Sequence, residues 1–123
     1  MGHHKSVIIR KERRRNRSKK TSFGHPHRNR LVIHRSLKHF EAQIIDDFES
    51  KTILSASSKG KDFKLTLKSV KCKIDLSKRV GELLAEKAKK MKIKFVVLDR
   101  NGYPYHGRVK AFVESVRKNG LNL

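Results

Sequence analysis

Near the C-terminus, Asp99-Arg100-Asn101-Gly102-Tyr103-Pro104-Tyr105-His106-Gly107-Arg108-Val109 gathers bases, aromatics and glycines into one short stretch. Arg100 and Arg108 carry planar guanidinium forks that match phosphate oxygens, and Tyr103, Tyr105 and His106 offer flat faces for bases or sugars. RNA is the ligand that uses both. The elements on either side must hold this stretch in place. Phe95-Val96-Val97-Leu98 reads as a buried apolar strand, and Asn101-Gly102 as a turn that tolerates positive φ. Val109, Phe112, Val113 and Val116 recur at helical spacing and predict a terminal helix, which Lys118-Asn119-Gly120 ends with basic charge and a glycine suited to the last turn.

Composition reaches a compatible conclusion. The chain has 123 residues, 36% of them hydrophobic, which suits one small core. Thirty-two Lys and Arg against 11 Asp and Glu leave a formal charge of +21, and self-repulsion on that scale calls for a polyanionic partner. No apolar run approaches the roughly 18 residues of a membrane span, and the N-terminus lacks the apolar core of a signal peptide. A cytosolic protein with no membrane contact is expected. A membrane-surface role needs large apolar residues on a basic helix, and the basic region offers little beyond Val7, Ile8 and Ile9. Cys72 is the single cysteine, so neither an internal disulfide nor a cysteine metal cluster is available. His3 and His4 are adjacent and diverge on any regular element, with no third ligand close by.

The charge is unevenly spread. Residues 1–30 hold 11 Lys and Arg and only Glu12 as an acid, a formal +10 of the total +21. Arg10 to Lys20 has no apolar face, so residues 1–29 are predicted to be a basic RNA-binding arm that is disordered when free. On RNA a helix becomes available to it, because Arg and Lys are acceptable helix formers once repulsion is removed. His25-Pro26-His27 reads as a linker into a single globular domain over 30–123.

Within that domain, Leu31–Arg35 and His39–Ile45 are strand-length runs at hairpin spacing, with Phe40, Ala42 and Ile44 on one face. Asp46–Lys51 turns the chain into a third strand, Thr52–Ala56. The stretch 59–73 reads as an irregular connection with some helix. Asp75 is a candidate cap for a helix whose buried stripe is Leu76, Val80, Leu83, Leu84, Ala88 and Met91, with Gly81 marking close packing against the sheet. A right-handed crossover then leaves the fourth strand parallel to the first. The fold class is α/β with α+β character: a mixed four-stranded sheet in β-β-β-α-β-α order.

The junction motif resembles a family signature, Asp-Arg-x-Gly-x-x-Tyr-His-Gly-Arg-Val, of the bacterial large-subunit ribosomal protein L-eighteen family, and every fixed position matches. Arg30–Ser36 continuing through His39–Asp46 is similar to that family's first two strands, and Val80–Ala88 to its first helix, so the likeness runs from Arg30 to the C-terminus. Departures are Glu41 where an aromatic is common, Leu123 where a phenylalanine ends the chain, and Lys92 in place of a glycine, which implies a helix end without the usual left-handed glycine. The resemblance implies a ribonuclease-H-like sheet of order 3-2-1-4. It also implies 5S ribosomal RNA as ligand, with neighbouring 23S RNA and ribosomal protein L-five as companions.

That topology raises a nuclease alternative, in which Asp46, Asp47 and Asp99 would hold two metal ions. Asp46 and Asp47 fall in a turn, and Asp99 is expected to orient Arg100 or Arg108 or to accept backbone donors, so no catalytic residue, metal, cofactor or small-molecule substrate is assigned. Recognition is assigned to His34, Arg35, Lys38 and His39 around the hairpin and to Arg100, Tyr105, His106 and Arg108 at the junction. Affinity is assigned to Arg10, Arg13, Arg14, Arg15, Arg17, Lys19, Lys20, Arg28 and Arg30. A nonspecific nucleic-acid compactor is the alternative that explains the charge equally well.

Overall fold

Alternating burial along the first hairpin separates the two layers of the domain. The computed structural model describes residues 2–18, 27–64 and 70–123. Strands β1 (Asn29–Arg35) and β2 (Phe40–Asp46) pair antiparallel, with Arg35 opposite Phe40 and Leu31 opposite Ile44. Leu31, Ile33, Phe40, Ala42 and Ile44 are buried on one face, as the period-two pattern requires. β3 (Lys51–Ser57) joins β2 antiparallel with a register shift between Ile44 and Ile45, and β4 (Val96–Asp99) lies parallel to β1. The sheet order is β3-β2-β1-β4, the mixed four-stranded arrangement expected.

Helices α3 (Lys73–Lys90) and α4 (Arg108–Lys118) close the apolar face and pack on each other, while α2 (Lys61–Lys64) is a single turn that buries Phe63. Phe40 and Phe112 meet at the centre, their ring centroids 5.0 Å apart. The close approach that Gly81 permits is between the helices: a Cβ there would lie 3.0 Å from the Phe112 carbonyl oxygen and 3.1 Å from Ser115. Its partner is therefore α4, where the sequence predicts the sheet.

Other departures have local causes. α3 starts before Asp75, at an extended Cys72 that makes no side-chain cap, and Asp75 sits in the first turn, where its charge opposes the helix dipole. Met91, predicted in the core, is 57% exposed because the last turn of α3 runs past the edge of the apolar face. Lys92 takes the left-handed conformation itself, at φ 58°, and its N–H and that of Ile93 donate to the carbonyls of Lys89 and Ala88. Phe95 is exposed and sits just outside β4, bridging to Asn122 of the C-terminal tail. Leu65 and Leu67 of the irregular connection lie outside the described residues.

Residues Gly2–Ser18 form α1, a helix where the sequence predicts an arm without fixed structure; none of its residues is buried. Its end meets the domain at Asp99, whose carboxylate accepts from the Ser18 hydroxyl. Asp99 is buried at the end of β4, its side chain only 3% exposed, and also accepts from Arg30 Nη1 at 2.9 Å and from the Asn101 N–H at 2.9 Å. The Arg30 guanidinium reaches on to Asp47, with Nε and Nη2 donating to its two oxygens at 3.0 and 2.9 Å. Burial pulls the Arg30 pKa down, yet the hydrogen bonds and charges of Asp47 and Asp99 outweigh it and hold it above the ordinary value. One side chain thus joins β1, the β2–β3 turn and the end of β4.

The Arg30 tie and the Lys92 backbone each set a stability expectation. Arg30→Ala leaves the Asp99 carboxylate buried without its cation and should cost about 3 kcal/mol in urea denaturation; a change below about 1 kcal/mol would show the tie to be dispensable. Lys92→Gly removes the strain of a left-handed lysine and should add about 1 kcal/mol, read as a higher thermal midpoint. A lower midpoint would show that the Lys92 side chain contributes more than its backbone costs.

Candidate nucleic-acid interface

The junction after β4 is built on backbone geometry that its sequence anticipates. Asn101 and Gly102 have φ of 53° and 79°, and the Tyr103 N–H donates to the Arg100 carbonyl at 3.0 Å, closing a two-residue turn of the positive-φ kind. Gly107 precedes α4 at φ 59° and ψ −122°, a conformation that only glycine adopts cheaply. Between the two glycines the chain is exposed at Pro104, Tyr105 and His106.

Tyr103 and Arg108 then fasten the junction to the β1–β2 hairpin. The Tyr103 hydroxyl accepts from the Arg35 N–H at 3.2 Å and donates to the Arg35 carbonyl at 3.4 Å. Above its ring lies the Arg35 guanidinium, 4.8 Å from the centroid. Arg108 Nη1 donates to the Ser36 carbonyl at 2.8 Å. Burial, and then the nearby Arg35 charge, push the Arg108 pKa down, although a guanidinium remains a cation at any physiological pH. The fold therefore holds two mutually repelling cations beside one aromatic face, an arrangement that an anion between them would relieve.

The hairpin and junction groups predicted from sequence are thus brought together, although not all in the same way. Lys38 is exposed at the hairpin turn and His34 on the outer face of β1. His39 is half-buried, its Nδ1 in a 2.9 Å hydrogen bond with the buried Ser58 hydroxyl. Arg100, Tyr105 and His106 face solvent. Arg28 lies apart from them, at the opposite end of the sheet, with its guanidinium 5.4 Å from the centre of the Phe95 ring. Arg30 is engaged by Asp47 and Asp99 as described, and Asp99 is partnered by Arg30 rather than by Arg100 or Arg108.

Along α1, Arg10, Arg13, Arg14, Arg15 and Arg17 are all exposed, while Lys19 and Lys20 lie outside the described residues. The helix runs beside the junction and leaves two grooves, one of about 610 Å³ on the side of Arg100 and one of about 480 Å³ on the side of His34 and Arg35. Tyr103 and Pro104 border both. Tyr103 is legible as a flat face in the motif, but its role as the pin between hairpin and junction is not. Ser18 carries no signal at all, since a serine in a basic run has no periodicity to mark it.

Asp46, considered above as a metal ligand, caps the β2–β3 turn by accepting from the N–H groups of Phe48 and Glu49 at 3.0 and 3.3 Å. Asp47 and Asp99 share Arg30. Among the described residues no group of three or more His, Cys, Asp or Glu side chains is placed to hold a metal ion. Nor is any described helix long and apolar enough to cross a membrane.

Comparison with known proteins agrees with the junction and the sheet. Residues 5–123 match the model of the family described as ribosomal L18 of archaea, bacteria, mitochondria and chloroplasts. The chain is 45% identical over 115 residues to the large ribosomal subunit protein uL18 of Sorangium cellulosum, covering 94% of this chain and 96% of that protein. With the uL18 proteins of Chloroherpeton thalassium and Brachyspira hyodysenteriae the identities are 46% and 43%, covering 95% and 98% of this chain and 96% and 98% of theirs. Matches of that extent, over a chain whose Asp-Arg-x-Gly and Tyr-His-Gly-Arg residues form the turn and helix start just described, show that it belongs to the ribosomal L18 family.

Proposed function

We propose that this protein is a structural constituent of the large ribosomal subunit that binds 5S ribosomal RNA and helps attach it to 23S ribosomal RNA in the central protuberance, beside ribosomal protein L-five. The observation that carries the reading is the pair Arg35 and Arg108, held by Tyr103 and the Ser36 carbonyl at the hairpin–junction seam. Two like charges fixed against their own repulsion form a preorganised seat for phosphate. Around them stand His34, Lys38, Arg100, Tyr105 and His106, exposed groups able to meet phosphates, 2′-hydroxyls and unstacked bases. The domain reads shape, because the narrow major groove of A-form RNA does not admit side chains readily. His39, bonded to Ser58, shapes the hairpin end.

The arm supplies affinity. α1 carries Lys5, Arg10, Lys11, Arg13, Arg14, Arg15 and Arg17 against a single acid, Glu12, and buries nothing. A 17-residue helix with that charge and no apolar seam is marginal in water, so it frays in the free protein and becomes stable when phosphates neutralise it. Circular dichroism of the free protein and of its RNA complex should therefore differ by roughly one such helix; equal helicity in both would show the arm to be preformed.

Titration with 5S RNA at about physiological ionic strength against excess transfer RNA tests the reading directly. Retained binding is expected, since charge alone does not survive that competition well. Complete loss to competitor would reduce the protein to a basic nucleic-acid compactor, the reading that its formal charge of +21 favours on its own, and duplex DNA would then compete equally. Deleting residues 1–29 should lower the logarithmic salt slope by about 0.7 to 0.9 for each phosphate that the arm no longer neutralises. Arg108→Ala should instead erode discrimination between 5S and unrelated structured RNA; an equal loss for both would make Arg108 a plain phosphate ligand.

A further inference from the structure

The contact between α1 and the junction turn is closer than charge alone explains. A Cβ on Gly102 would lie 3.1 Å from the Arg15 amide nitrogen and 3.4 Å from both the Arg14 carbonyl carbon and its Cβ, so the helix backbone rests directly on the turn. One turn further along, the Ser18 hydroxyl donates to the buried Asp99 carboxylate. The same carboxylate holds the Asn101 N–H and hence the turn on which the helix rests. Seat and latch share one anchor.

What this docking encloses is a groove of about 610 Å³ with a distinct chemistry. Arg14 and Arg17 approach it from α1 and Arg100 from the turn, while Tyr103 and Pro104 supply flat walls. Among the described residues, three arginines and no acidic residue line it. Arginines from two elements beside an aromatic wall fit a phosphodiester whose sugar or base lies on that wall. If α1 leaves, Arg100 remains on an open turn and Arg14 and Arg17 depart together.

We infer that the groove between α1 and the Arg100–Pro104 turn is a phosphodiester-binding site that is complete only when Ser18 latches α1 to Asp99 over Gly102, so that strand binding and arm docking are one event. The inference rests on the RNA-binding reading and deepens it, since it makes the arm a positioned half of a clamp rather than a loose polycation. Gly102 is needed twice, for its φ of 79° and for the space in which the helix backbone sits.

The test uses the full chain and a probe with no ribosomal structure, fluorescein-labelled hexauridylate, followed by anisotropy at low salt. Ser18→Ala removes the latch hydroxyl, from a half-buried position outside the apolar core, and leaves every cation in place. It should weaken binding by about three- to tenfold, the net worth of one hydrogen bond. Arg100→Ala should weaken it by a similar factor. The double variant should be little worse than the poorer single, because an undocked arm has already separated Arg100 from its partners. Multiplicative losses, or a Ser18→Ala protein that binds like the parent, would overturn the inference, with circular dichroism confirming that the domain is folded in each case. Because hexauridylate carries nothing of 5S RNA, the two readings fail separately. Independent losses with 5S selectivity intact sink the clamp alone, and coupled losses with 5S selectivity gone leave the clamp and sink the 5S assignment.

Discussion

A buried carboxylate at the end of β4 is the point on which this molecule turns. Asp99 sits where the edge strand leaves the sheet, and its partners among the described residues come from three different parts of the chain: Ser18 from the arm, Arg30 from β1 and Asn101 from the junction turn. Taking a carboxylate out of water is tolerable only when it is paired and hydrogen-bonded. The requirement works in both directions here. Those donors offset the burial of the Asp99 carboxylate, and the donors are fixed relative to one another because they converge on Asp99. Through Arg30 the same constraint reaches Asp47 and the β2–β3 turn, so the outer face of the sheet has a polar framework to match the apolar one beneath it.

Beneath the sheet the apolar framework is small. α3 and α4 cover a single face, centred on Phe40 and Phe112, and the opposite face is left to polar and half-buried side chains such as His34, Glu41 and Gln43. A formal +21 must therefore be carried by a domain with one thin core. The cations are distributed so that the core does not bear their repulsion. Arg30 is neutralised internally, Lys59 reaches Glu41 at 3.4 Å, and five arginines stand on α1, which contributes nothing to the core. At the hairpin–junction seam two arginines are held close, and burial together with the Arg35 charge lowers the pKa of Arg108.

Much of this is readable in the sequence because periodicity reports burial. Phe40, Ala42 and Ile44 alternate and are buried; Val109, Phe112, Val113 and Val116 recur at helical spacing and are buried; Asn101-Gly102 forms the turn its residue types demand. The strand order follows from a meander plus one crossover. What cannot be read depends on distance in the chain or on the absence of a side-chain signal. Nothing near Asp99 indicates that its cation is Arg30, 69 residues earlier, when Arg100 is adjacent. Cys72 begins α3 without a side-chain cap, so by residue type Asp75 is the better start. Met91 continues the stripe in sequence but overhangs the apolar face in space, and Lys92 adopts a conformation that its side chain disfavours because the Ile93 N–H and the turn behind it require one there. Gly81 announces a close approach without saying to what.

The arm shows the same limit from the other side. No apolar periodicity marks Arg10 to Ser18 as belonging anywhere, because what positions it is not apolar: a glycine that leaves room for a helix backbone, and one hydroxyl that reaches a carboxylate. Such contacts are weak beside a packed core, and weakness suits the task. An arm fused to the domain by a large interface would be ordered in every state, and its charges would already be arranged before RNA arrived. If the arm meets RNA as proposed, a seat of two small contacts is too slight to hold seven cations against their own repulsion, yet enough to choose one position for them once phosphate removes that repulsion. Direction would then come from the protein and stability from the nucleic acid, and a polycation of this kind would grip one place on its ligand instead of many.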